Sequence, residues 1–220
     1  HSFPTRRSSD RFSGSPAGRR LFFGRLDAGV VGGAIDAAVV RAAEGSRIVL
    51  RSSVQTGAGA RTTEVTVVDV LPTLATGQAL EPAAGTPSVA LAEDGTISVG
   101  LTGLNAPTRS TAAVVIQGEG SQVSATDTIV ARYTIVSWSG GTVRTTNYGW
   151  TTAPGTIDMT NTLAGLSQGL VDVPVGSRVV LSLPADQARG DEPVAVVVDV
   201  LAIVEGGAAP SDAASAPATP

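Results

Sequence analysis

The sequence predicts an α+β fold, an antiparallel sheet wrapped around one short helix, in two tandem copies of which the first is truncated. Three observations lead there. A helix, a tight glycine turn, a strand, a loop and a second strand recur in the same order about 131 residues apart, from Gly45 to Gly176. Between the two occurrences lie short segments rich in Val, Ile and Thr and punctuated by Gly, Pro and Asn, the pattern of strands joined by turns. Strands do not alternate with helices, so a doubly wound parallel sheet is not indicated. With 220 residues, 42% hydrophobic and 15% charged, the chain is long and apolar enough to bury a core.

In the first copy, Ile35, Val39 and Val40 form a helical stripe. Glu44 to Ser52 (EGSRIVLRS) then gives the turn and a strand, and Glu64 to Leu74 (EVTVVDVLPTL) the valine-rich second strand. In the second copy the stripe is Leu163, Leu166, Leu170 and Val171, at i, i+3, i+7 and i+8. It is followed by Val175 to Leu183 (VGSRVVLSL) and Pro193 to Val204 (PVAVVVDVLAIV). The glycine-to-aspartate separation is 24 in one copy (Gly45 to Asp69) and 23 in the other (Gly176 to Asp199). Ahead of the second helix come strand candidates at Pro87 to Leu91, Ile97 to Leu101, Ala112 to Gln117, Thr128 to Ser137 and Gly141 to Thr145. Only Arg11 to Phe23 precedes the first helix, too little for the same strands.

His1 to Asp10 (HSFPTRRSSD) reads, in one frame, as the translation of a common sequencing-library adapter, and is set aside as an artefact. The expected organisation is then a truncated first copy at 11–74, a linker at 75–86, a complete domain at 87–205, and a disordered Ala/Pro/Ser tail at 206–220. A targeting signal would have been lost with the missing front end.

Composition excludes most catalytic chemistry. There is no Cys, all 15 basic residues are Arg, and the one His is His1, within the adapter-like stretch. Thiolate and lysine nucleophiles, Schiff bases, a phosphate loop lysine, and histidine acid–base or metal chemistry all fall away. A net charge of −4 with scattered Arg offers no basic face for nucleic acid. No run approaches the roughly 18 apolar residues of a membrane helix.

Within this frame, several segments resemble the FKBP-type peptidyl-prolyl isomerases, in particular the tandem forms of high-GC Gram-positive bacteria. They are DTIVARYT (Asp127 to Thr134), the Trp138 to Val143 turn (WSGGTV), Ala153 to Met159 (APGTIDM), Leu163 to Pro184 and Val196 to Ile203. The match covers about 80 residues, Asp127 to Val204, and Leu26 to Leu71 resembles the rear half of another copy. The resemblance implies an FKBP-like sheet around a short helix and an apolar cavity that cups a proline ring. It implies no nucleophile, metal or cofactor, proline-containing polypeptides as partners, macrolides as inhibitors, and a folding role outside the cytoplasm, secreted or lipid-anchored.

Carried over residue by residue, the first pocket tyrosine falls on Tyr133. The family's Phe-Asp pair falls on Val143-Arg144, or on Arg144-Thr145 if the turn holds one extra residue. Its next aromatic falls on Gly155, with Ile157 two residues on. The Val-Ile pair becomes Thr162-Leu163, whose second backbone N–H would anchor the peptide. The floor tryptophan becomes Leu166, a later tyrosine becomes Arg189, and the last-strand phenylalanine becomes Val196. The resemblance thus nominates Tyr133 and Leu163 as catalytic and Val143, Ile157, Thr162, Leu166, Arg189 and Val196 as substrate-binding, in a pocket with most aromatics replaced by smaller groups.

Elsewhere, Tyr148 and Trp150 are either an exposed aromatic lip or a folded-back loop anchor. Asp69 and Asp199 are read as facing solvent or bonding backbone, and Glu93-Asp94-Gly95 as a hairpin turn. Three functions stand open: a prolyl isomerase, a non-catalytic binding module, and a structural spacer.

Overall fold

A computed structural model of the chain describes residue 22 and residues 28–55, 59, 61–188, 190 and 192–204. The adapter-like stretch, most of Arg11 to Phe23, the tail after Val204 and Arg189 lie outside the described residues. Residues 24–207 form one compact unit. Two short helices, α1 (Ala28–Val31) and α2 (Gly33–Val39), precede a hairpin of β1 (Arg47–Gln55) and β2 (Arg61–Asp69). Then follow β3 (Gln78–Ala79), β4 (Ser88–Leu91), β5 (Ile97–Gly100), β6 (Thr111–Gln117), β7 (Thr128–Ser137), β8 (Val143–Thr146) and β9 (Gly155–Asp158). Last come α3 (Ala164–Leu170), β10 (Arg178–Leu183) and β11 (Val194–Val204).

The main sheet has seven antiparallel strands in the order β3-β6-β10-β11-β7-β8, with β9 also paired to β7. The α+β class follows, and α3 packs on one face. Ile129, Leu166, Leu170, Val179, Leu181, Leu183, Val196 and Val198 close that layer, all buried. Gly169 permits the contact, because a Cβ there would overlap the Leu181 side chain. The other face is covered as well, beyond the one short helix that the sequence placed against the sheet. Val180 and Val197 are buried under Ile97 and Tyr148, with Leu74, Val89 and Val99 against them. Both faces of β10 and β11 are therefore apolar, which is why those strands read as near-continuous valine runs rather than alternating ones. No helix among the described residues is long and apolar enough to cross a membrane.

The repeat is physical. Gly45 and Gly176 both sit at positive φ, 80° and 95°, which glycine adopts without steric cost. Gly45 N–H donates to Val70 O at 2.7 Å and Val70 N–H returns to Ser46 O; Gly176 N–H donates to Val200 O at 2.7 Å and Val200 N–H to Ser177 O. Arg47 pairs across the ladder with Asp69, and Arg178 with Asp199. Both are two-pronged ion pairs, 2.5 and 2.9 Å in the first copy and 2.6 and 2.8 Å in the second. Their surroundings differ: the second pair's side chains are 9% and 0% exposed, the first's 53% and 45%.

The stretch read as a linker, 75–86, and the end of the first copy before it do more than span. Thr73 donates through its N–H and hydroxyl to Glu44, while its carbonyl accepts from Arg132 Nε at 2.8 Å. Ala75 N–H donates to Asp199 at 2.9 Å, Thr76 N–H to Gly176 O, and Gln78 and Ala79 pair with β6. Residues 73–76 thus rivet the first copy to the second.

Candidate binding cavity

The cavity opens beside the N-terminus of α3, between that helix and β7 to β9. It holds about 330 Å³ and is lined by Tyr133, Ile135, Thr145, Thr156, Ile157, Asp158, Asn161, Thr162, Leu163, Leu166 and Val196. That volume lies near the small end of ligand sites, which run from about 300 to 1,000 Å³. Its floor is apolar and buried, with Val196, Leu166 and Ile157 at 0%, 5% and 7% exposed. Each arrives by a different route: Val196 from the first half of β11, Leu166 from the first turn of α3, and Ile157 from β9, where it pairs opposite Ile129.

Six of the eight residues nominated from sequence converge here: Tyr133, Ile157, Thr162, Leu163, Leu166 and Val196. Val143 does not. It stands 48% exposed at the start of β8, and Thr145 lines the cavity in its stead. The reason is a β-bulge: Val136 pairs with Val143 but Ile135 with Thr145, so Arg144 is the extra residue. Of the two registers considered, the one with an additional turn residue, Arg144-Thr145, therefore brings a side chain to the cavity. Arg144 itself turns to Glu192, which also accepts from the Ser137 and Ser139 hydroxyls. Those three donors hold the Glu192 carboxyl down to about 2. Ile135, Thr156, Asp158 and Asn161 were not singled out from sequence; strand alternation from Tyr133 to Ile135 would have found the first.

Tyr133 is fixed from behind. Its N–H donates to Asn147 Oδ1 at 2.6 Å, and Asn147 Nδ2 donates to Ala131 O at 3.1 Å. Gly155, where the resembling family has an aromatic, is closely packed: a Cβ there would sit 3.3 Å from Asn147 Nδ2 and 3.7 Å from the Tyr133 ring. Leu163 occupies the N-cap of α3 at φ −62°, ψ 135°, its carbonyl accepting from Ser167 N–H. Among the described residues its own N–H has no protein acceptor. Asp158 and Tyr133 are the lining residues that can ionise. The Thr160 hydroxyl, with Asn161 and the Thr160 N–H, lowers the Asp158 carboxyl, which keeps it an anion rather than a proton donor.

The two aromatics of the Gly/Thr-rich loop divide. Tyr148 is buried at 3%, an anchor and not a lip. The Arg178 guanidinium lies 6.0 Å from its ring centroid, a cation–π distance, and burial pushes its phenol well up. Trp150 is 54% exposed, its indole N–H donating to Glu93 O at 2.7 Å and its ring lying against Gly95 of the β4–β5 turn. That turn forms as read, with Gly95 at φ 78°. Of the two readings for Asp199, bonding backbone holds, since it accepts the Ala75 N–H, and facing solvent does not: it is fully buried in an ion pair with Arg178. The signal was present, since Arg follows two residues after the turn glycine in both copies and the Asp recurs with it.

No family model matches the chain, and no curated protein matches it. Solved structures do. One is a peptidyl-prolyl cis-trans isomerase from Pseudomonas syringae pv. tomato, 20% identical with a TM-score of 0.39, covering 44% of this chain and 76% of that one. FkpA from Escherichia coli is 20% identical with a TM-score of 0.40, over 46% of this chain and 52% of its own, so this chain spans about half of it. The three FKBP domains of wheat FKBP73 are 13% identical with a TM-score of 0.40, over 78% and 73%. These structural neighbours are FKBP-type peptidyl-prolyl isomerases.

Proposed function

We propose that residues 87–205 form a peptidyl-prolyl cis-trans isomerase domain acting on exported polypeptides, with the proline ring seated on Leu166, Ile157 and Val196. The observation that carries this reading is the convergence of six of the eight residues nominated by the resemblance on one apolar-floored cavity. Isomerisation needs no nucleophile. Amide resonance sets a barrier of about 18–20 kcal/mol for an ordinary peptide bond, and X-Pro exchange takes tens of seconds or longer unaided. A twisted amide has lost that resonance and the charge separation that goes with it. An apolar floor that holds the ring while the carbonyl rotates favours the twisted form over the planar one, which is where rate comes from. In this reading the Leu163 N–H receives the peptide carbonyl after the proline, and the Tyr133 hydroxyl is the polar group offered to the rotating one.

A second reading, a module that binds extended segments without turning them over, is favoured by one observation. Among the described residues Tyr133 is the one aromatic of the lining, and the floor under the ring is aliphatic. A prolyl-isomerisation assay on the whole chain, with and without a macrolide, separates the two. Acceleration that the macrolide blocks and that Tyr133→Ala lowers supports catalysis. Peptide binding without acceleration supports the second reading.

A further inference from the structure

The two copies share a hairpin but not its cover. Directly opposed residues of an antiparallel pair share a face, so Arg47–Asp69, Val49–Val67 and Arg51–Val65 stand together on one side of β1–β2. The same positions in the second copy are Arg178–Asp199 and Val180–Val197. There the valines are 2% and 0% exposed, beneath Tyr148 and, from residues 74–101, Leu74, Val89, Ile97 and Val99, and the Ala75 N–H is seated on the aspartate. In the first copy Val49, Val65 and Val67 are 62%, 50% and 38% exposed. A valine-faced surface carrying its own ion pair is thus open in one copy and filled in the other.

We propose that this face of β1–β2 is a docking surface for a cation-free β-hairpin with Val and Ile on one face, preceded by an extended exit segment: the element that residues 74–101 supply to the second copy. Three observations identify the occupant. The second copy shows that element in place on the equivalent surface, with Leu74, Val89, Ile97 and Val99 meeting the two valines. The ion pair beside that element recurs as Arg47–Asp69, in the same two-pronged geometry. Charge is complementary too: Arg51 and Arg61 stand on the open face, whereas residues 74–101 hold Glu81, Glu93 and Asp94 and no basic residue. This inference is independent of whether the cavity turns over prolyl bonds.

The test uses the full chain and a synthetic peptide of residues 74–101 carrying a fluorophore, followed by anisotropy. Saturable binding is expected, weakened at least tenfold by Val49→Asp and by Val67→Asp and unchanged by Thr62→Asp on the opposite face. Because the chain has no cysteine, Ser53→Cys on the open face can be labelled with a polarity-sensitive dye. Its emission should shift to the blue as peptide is added, a readout that does not require the aspartate variants to fold. No binding, binding indifferent to both valine changes, or no dye shift would overturn the proposal. So would a concentration-dependent dimer of the chain that Val49→Asp dissociates, since a second copy would then be the occupant.

Discussion

Asp199→Asn and Asp69→Asn make one chemical change at two copies of the same ion pair, and the structure assigns them different costs. Geometry is matched to within 0.1 Å in both prongs. Burial is not: the Arg178–Asp199 side chains are 9% and 0% exposed, those of Arg47–Asp69 53% and 45%. Removing one charge of a buried pair strands its partner in low dielectric and costs about 3–5 kcal/mol. An exposed pair is worth about 0–1 kcal/mol because water solvates either partner alone. For a unit of this size each kcal/mol moves Tm by about 2–4 °C, so Asp199→Asn should lower it by about 6–20 °C and Asp69→Asn by about 4 °C at most. The stranded guanidinium would lie over Tyr148, whose ring cannot replace a carboxylate. Asp199→Asn also weakens the acceptor of Ala75 N–H, so part of the loss should appear as loosening of residues 73–76 in hydrogen exchange. The measurement is thermal and urea unfolding of both variants beside the parent chain. Equal shifts at the two sites would refute the argument from burial.

Other outcomes follow from particular contacts. Leu163→Ala and Leu163→Pro should both lower prolyl-isomerase turnover, the proline variant further: φ of −62° already suits proline, so it fits the backbone but deletes the N–H. Glu192 should make stability depend on acid. Its folded value of about 2 lies below the ordinary 4.5, so its contribution is complete above pH 4.5 and is lost as pH falls toward 2; Glu192→Gln should flatten that part of the stability profile. Gly118→Ala should cost about 1–3 kcal/mol in urea unfolding, because a Cβ would overlap the Val175 carbonyl oxygen and the backbone of Gly176. Gly140→Ala, whose Cβ meets only the Thr142 hydroxyl at 3.4 Å, should stay within about 0.5 kcal/mol of the parent.

Much of the fold was legible because β-branched runs and helix periodicity are local signals. Thr128–Ser137 was read to the residue, and α3 begins one residue inside its expected stripe. What escaped depended on partners far along the chain. Gly155–Asp158 has a single large apolar residue, and becomes a strand because Ile157 has Ile129 to pair with. Gln78–Ala79 carries no strand signature and is ordered by the edge of β6. The cavity was legible where the resemblance supplied one residue per element, and failed at Val143, where a bulge shifted the side chain that faces inward. Tyr148 could not be placed from its loop, since its burial is set by Val180, Val197 and the β4–β5 hairpin, none of them adjacent in sequence.

The central claim, that the cavity at Tyr133, Leu163 and Val196 takes a proline ring and eases its rotation, is tested most directly by exchange NMR on an X-Pro peptide with a catalytic amount of the chain. The account predicts cis–trans exchange peaks within seconds that weaken with Tyr133→Ala while the fold persists. Exchange no faster than in the free peptide, or exchange unchanged by Tyr133→Ala, would contradict it.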